Sequence, residues 1–90
     1  MQRNKDGFII MSEYFALILE CLNHNGPSVF REIADCVYLK MRHNFRSEDL
    51  EIHLGNRNQH VWEHQISEAL YTLKEKGIIR LRNDKRYEII

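Results

Sequence analysis

The sequence predicts a mainly helical member of the α+β class, on three observations. A long helical pattern runs from Asn58 to Lys76, NQHVWEHQISEALYTLKEK, in which Trp62, Ile66, Ala69, Leu70 and Leu73 recur at helical spacing. Two shorter amphipathic patterns precede it, separated by the turn NHNGP, Asn23 to Pro27. An alternating basic ribbon, IIRLRNDKRYEII, follows it. Helix, helix, short helix, long helix, hairpin is the order of a winged helix-turn-helix domain. It has three or four helices and a C-terminal β-hairpin as its wing.

Ninety residues make one domain. The expected division is a flexible N-terminal arm over residues 1–11 and the winged-helix domain over 12–90. Met1 to Gly7, MQRNKDG, is polar and aperiodic. Within it Arg3 and Lys5 could reach a phosphate. No apolar run approaches membrane-spanning length, and the N-terminus lacks a signal-peptide pattern, so a cytoplasmic location and no membrane partner are expected. Cys21 and Cys36 lie in apolar helical patterns without CxxC spacing, and the reading is buried free thiols in a reducing cytoplasm rather than a disulfide.

The first helix is expected over about Ser12 to Leu22, with Ser12 as N-cap and Glu13 in the first turn, where the helix dipole favours an anion. Phe15, Ile18, Leu19 and Leu22 give its buried face. Gly26 and Pro27 end it. Ser28 opens the second helix, VFREIADCVYLKM, which buries Val29, Ile33, Cys36, Val37 and Met41 and turns Arg31, Glu32, Asp35 and Lys40 to solvent. Residues 47–54 read two ways. Ser47 with Glu48 and Asp49 starts a short helix, the favoured reading, while Leu50, Ile52 and Leu54 alternate as a strand that would join the wing sheet. Gly77 stops the long helix after Lys74 and Lys76. Asn83 and Asp84 turn the hairpin, and Tyr87 and Ile89 return to the core.

Charge is uneven along the chain. Its net value is zero, which argues mildly against strong nonspecific nucleic-acid binding. From Met1 to Asn56 there are six Lys and Arg against eight Asp and Glu, and from Arg57 to Arg86 seven against four. Phosphates feel local potential, so the basic second half matters more than the sum. On a duplex the long helix would enter the major groove and the hairpin would follow the backbone. Candidates for base contact are Asn58, Gln59, His60, His64, Ser67 and Tyr71, since amides pair bidentately with adenine. Candidates for phosphate contact are Arg57, Lys74, Arg80, Arg82, Lys85 and Arg86. Glu63 and Glu68 flank this face and would repel phosphate, which favours specific or weak binding over tight nonspecific binding.

One motif competes. His60-Val-Trp-Glu63-His64 matches H-x-x-E-H, the zinc motif of inverted metallopeptidases. Such a site needs a third ligand and a substrate cleft, and only a helix end and a hairpin remain downstream. No phosphate loop and no nucleophile-base set is legible, so no enzyme, no cofactor and no metal are expected.

The stretches LNHNGPSVFREIADCV and VWEHQISEALYTLKEKGIIRLRNDKRYEI together resemble the N-terminal winged-helix domain of Mrr-type restriction endonucleases. Trp62-Glu63 matches that family's aromatic-Glu pair opening the recognition helix. Ala69, Leu70, Leu73, Lys74, Gly77, Ile78 and Ile79 match its later core and turn positions, and Arg31 to Ile33 its second helix. The resemblance covers about Tyr14 to Ile89. It implies a double-stranded DNA-binding module, the target-recognition part of a restriction or defence-type nuclease, reading modified DNA in some relatives. Two positions depart: Glu68 stands where the family often has a bulky aromatic, and His64 where it often has Asn. Base preference therefore does not carry over.

The expected partners are double-stranded DNA, a fused or associated nuclease domain, and a second copy of the chain as a homodimer. The alternative is a protein-interaction or dimerisation winged helix that does not bind DNA. Ending directly after the wing, the chain reads as either a domain of a longer protein or a free-standing small binder.

Overall fold

The computed structural model describes residues 1–90. Four helices are followed by a hairpin: α1 (Met11–Asn25), α2 (Phe30–Met41), α3 (Ser47–Leu50), α4 (Val61–Glu75), β1 (Ile79–Leu81) and β2 (Tyr87–Ile89), with a 3-10 turn over Arg42–Asn44. This is the α+β, mainly helical, winged-helix-like arrangement that the sequence predicts.

The core forms where the apolar faces of α1, α2 and α4 meet. Ile66, Ala69, Leu70 and Leu73 from α4 pack with Tyr14, Ile18 and Leu22 of α1 and with Ile33, Ala34, Val37 and Met41 of α2. Removing one of these larger aliphatics would leave a cavity costing about 2–5 kcal/mol. At one edge Trp62 is covered by Tyr38 and Phe45, with ring centroids 5.3 and 5.6 Å away. α1 starts one residue before Ser12, so Ser12 is inside the first turn and does not cap. Its buried face is also rotated from the expected one. Tyr14 and Cys21 are fully inside, while Phe15 and Leu19 sit at the core margin.

Ser28 corrects the sequence reading most informatively. It does not open α2. It stays extended after Gly26, whose φ of 76° suits glycine. Its N–H donates to the Tyr87 carbonyl at 3.0 Å, and its carbonyl accepts the Tyr87 N–H at 2.8 Å. Ser28 thereby adds a one-residue third strand, and the antiparallel order is Ser28, β2, β1. Val29 then caps α2, its N–H donating to Glu32 Oε1 at 2.9 Å. The two readings of residues 47–54 are each partly right. Ser47–Leu50 is one helical turn, and Ile52 is then extended, but it bridges His60 rather than the wing sheet.

The first ten residues are not a free arm in this structure. A turn over Asn4 to Gly7 returns the chain on itself, pairing Arg3 with Ile9, and Ile9 enters the core. Arg3 reaches the buried Asp49 with both terminal nitrogens, at 2.9 and 3.3 Å, and also donates to the carbonyls of Gly7 and Asn44. Close by, the phenol of Tyr14 donates to Gln65 Oε1 at 2.6 Å. Burial, and then the charge of Asp49, push that phenol well above its usual pKa, with Arg3 acting in the opposite sense.

Cys21 and Cys36, expected as free thiols, are joined by a disulfide between α1 and α2, with Cα atoms 6.2 Å apart. Helical periodicity put each cysteine on an apolar face. The packing of α1 on α2 turns those faces together at that level. No helix is long and apolar enough to cross a membrane.

Candidate nucleic-acid interface

The long helix starts at Val61, so Asn58, Gln59 and His60 lie in the loop before it. That loop is a tongue. The His53 N–H donates to the Gln59 carbonyl and the Val61 N–H to the Glu51 carbonyl, each at 2.8 Å. Leu54, Arg57 and Asn58 are all exposed on its tip.

His60 is the N-cap of α4. Its N–H donates to Glu63 Oε1 at 2.9 Å, and its ring Nδ1 lies 2.7 Å from the Leu50 carbonyl. Gln59 is spent internally, accepting from Asn56 and donating to Ser67 Oγ, each at 3.1 Å. Ser67 is therefore half-buried and engaged. His64 stacks on His53 with ring centroids 3.7 Å apart, and its Nε2 lies 2.8 Å from Glu68 Oε1. Tyr71 is exposed, with the Lys74 ammonium 5.5 Å from its ring centre. Of the six base-contact candidates, Asn58, His60 and Tyr71 face solvent, while Gln59, His64 and Ser67 are half-buried in contacts of their own.

Glu63 does not flank an exposed face, as expected of it, but is buried. Arg31, expected to be simply solvated, reaches across from α2 to its second oxygen at 2.7 Å. Burial alone would raise the Glu63 pKa, but the His60 N–H and Arg31 outweigh it and hold the carboxyl below the usual glutamate range. The partner rises accordingly: the hydrogen bond to Glu63 holds the Arg31 guanidinium above its usual value. With Glu63 committed, His60 turned to Leu50 and His64 to Glu68, the H-x-x-E-H residues do not converge. No three His, Cys, Asp or Glu side chains are grouped to hold a metal.

The wing is basic in sequence and largely neutralised in place. Arg80 pairs with Glu88 across the hairpin, and Arg82 lies 3.1 Å from Asp84 and 3.5 Å from Glu88. Arg86 lies 3.8 Å from Asp84 and 3.4 Å from Glu32 on α2. Lys85, with a φ of 69° at the turn, forms no ion pair, nor do Arg57 and Lys74. The links Arg86–Glu32 and Arg31–Glu63 join the wing to the start of α2, and the start of α2 to the start of α4.

Sequence reasoning missed a recurring device. In α2, α3 and α4 the acid three residues after the N-cap, Glu32, Asp49 or Glu63, accepts the N-cap N–H. Each of these acids is also held by a remote arginine: Arg86, Arg3 or Arg31. The acid at that spacing was a readable signal; the arginine was not. Also missed was a cleft beside α4, of about 420 Å³, walled by α3, the tongue and Phe8, with the base-contact candidate His64 in its lining.

Compared with family models, curated proteins and solved structures, the chain gives no match.

Proposed function

We propose that the chain is a double-stranded DNA-binding winged-helix module that acts in the cytoplasm. In this reading the start of α4 and its tongue meet the major groove, and the hairpin lies on the backbone. The observation that carries the reading is the chain of contacts linking the wing to the start of α4. Ser28 holds β2, Arg86 ties the wing to α2, and Arg31 ties α2 to the start of α4. A duplex spanning the two would meet exposed Arg57, Asn58 and His60 at the start of α4 and its tongue, with exposed Tyr71 further along α4, and Lys85 with the three arginines from the wing. Arg57 and Lys85 are the readiest phosphate contacts. The wing arginines would have to exchange carboxylate for phosphate, so binding is modest and selective. The resemblance to Mrr-type recognition domains supports the same reading, with a nuclease domain as the natural associate.

Fluorescence anisotropy with labelled duplex DNA at two salt concentrations tests the proposal. Affinity should fall as salt rises, with a log–log slope of about −0.9 for each phosphate neutralised. Alanine at Arg80, Arg82 and Arg86 together should weaken binding and flatten that slope. Absence of binding at low salt would remove the DNA reading. The alternative, an interaction or dimerisation winged helix, then predicts self-association, read by sedimentation of the same sample.

A further inference from the structure

The flank of α4 turned towards α3 has the opposite character to the wing side. Its cleft is lined by apolar groups, among them Ile52, Leu54 and Val61, by Glu48, Glu51 and Glu68, and by the stacked His53 and His64. No lysine or arginine lines it. Leu54 is 90% exposed and Ile52 50% exposed, an uncovered aliphatic pair beside three carboxylates. Elsewhere in the molecule most carboxylates are matched. Glu20, Glu32, Asp35, Asp49, Glu63, Asp84 and Glu88 each have a lysine or arginine within 4 Å. Glu48 and Glu51 have none, and Glu68 has only His64. Six acids lack a lysine or arginine, Asp6, Glu13 and Glu75 besides these three, and only Glu48, Glu51 and Glu68 gather around one cleft.

We infer that this cleft docks a basic, aliphatic segment of a protein partner. A lysine or arginine of that segment would lie among Glu48, Glu51 and Glu68, and a neighbouring aliphatic side chain would cover Ile52 and Leu54. Charge complementarity selects the occupant. Duplex DNA would meet three carboxylates here and be repelled, and an acidic segment likewise. A cationic head on an apolar stem satisfies both parts of the lining at once. The inference goes beyond the DNA reading and does not depend on it: the cleft adjoins the tongue and the start of α4, but its own lining carries no lysine or arginine for phosphate.

The test uses the whole chain, labelled with nitrogen-15, and a synthetic hexapeptide alternating leucine and arginine. Controls alternate leucine with glutamate and glycine with arginine. Amide shifts should move at Phe8, Ile52 to Leu54, His64 and Glu68 with the leucine-arginine peptide, and far less with either control. Glu48→Gln, Glu51→Gln and Glu68→Gln combined should weaken binding by about tenfold or more. Leu54→Ser, at a tip position whose loss leaves the core intact, should weaken it by about fivefold. The inference is overturned by the absence of saturable shifts, by equal binding of the glutamate control, or by shifts centred elsewhere. Occupation of the cleft by duplex DNA or by a second copy would overturn it too. Because the DNA assay varies the wing arginines and the peptide assay the cleft residues, either idea can fail alone.

Discussion

Arg3 and Asp49 are separated by 46 positions in the chain, yet the guanidinium meets the carboxylate at 2.9 Å, with the Asp49 side chain fully buried and that of Arg3 only 10% exposed. The same carboxylate accepts the Arg46 N–H at 2.8 Å and so caps α3. One buried acid thus fastens the N-terminal turn to the entry of the shortest helix, which by itself is too short to be stable.

Breaking this pair should be severe. Asp49→Ala strands a buried guanidinium and uncaps α3, and should cost about 3–5 kcal/mol in urea unfolding. Arg3→Ala should cost a similar amount, and the double variant clearly less than the sum of the two. An Asp49→Ala domain as stable as the parent would show that the N-terminal segment is a frayed arm after all.

Glu63 sets an acid limit. Its folded pKa lies below its unfolded value, so the folded state binds fewer protons there. The stabilisation is complete above the ordinary glutamate pKa of about 4.3 and is lost as pH falls through the depressed value. Stability measured by urea titration at stepped pH should drop over that acid window. Glu63→Gln should cost about 1–2 kcal/mol near neutral pH and flatten the drop. An unchanged pH profile would argue that Arg31 and His60 do not hold the carboxylate in solution.

The Cys21–Cys36 bond closes a loop with a sequence separation of 15. On the chain-entropy account, its reduction or the Cys21→Ser, Cys36→Ser double change should lower stability by about 3 kcal/mol. Intact mass under non-reducing conditions should lie two hydrogens below that of the reduced chain. In the cytoplasm proposed for the module, thiol reductants oppose the bond. Trapping thiols in freshly lysed cells measures which form is present there, and the oxidised form is expected once the protein is purified in air.

Glu88 should restrain the wing. It engages both Arg80 and Arg82, so Glu88→Gln frees Arg80 and leaves Arg82 with Asp84 alone, while changing stability by less than about 1 kcal/mol. In the anisotropy assay this variant should bind duplex DNA several-fold more tightly at low salt and show a steeper salt dependence. Weaker or unchanged binding would mean that those arginines do not face phosphate.

The sequence by itself determined the three longer helices, their order and the hairpin, and left residues 47–54 open between helix and strand. Apolar spacing at Ile66, Leu70 and Leu73 or Ile33 and Val37 is a local property, and burial follows from it. The exposure of Tyr71, off the apolar stripe of α4, was legible for the same reason. Tertiary structure alone decided which polar groups remained available. Gln59 and Ser67 look like free hydrogen-bonding residues until the tongue folds back and joins them. The wing arginines look like free charge until Glu88, Asp84 and Glu32 arrive beside them. Ser28 became a strand and Cys21 met Cys36 through contacts between elements that no periodicity records. Periodicity reports one element's own face; partners separated by tens of residues are chosen only when packing brings two faces together.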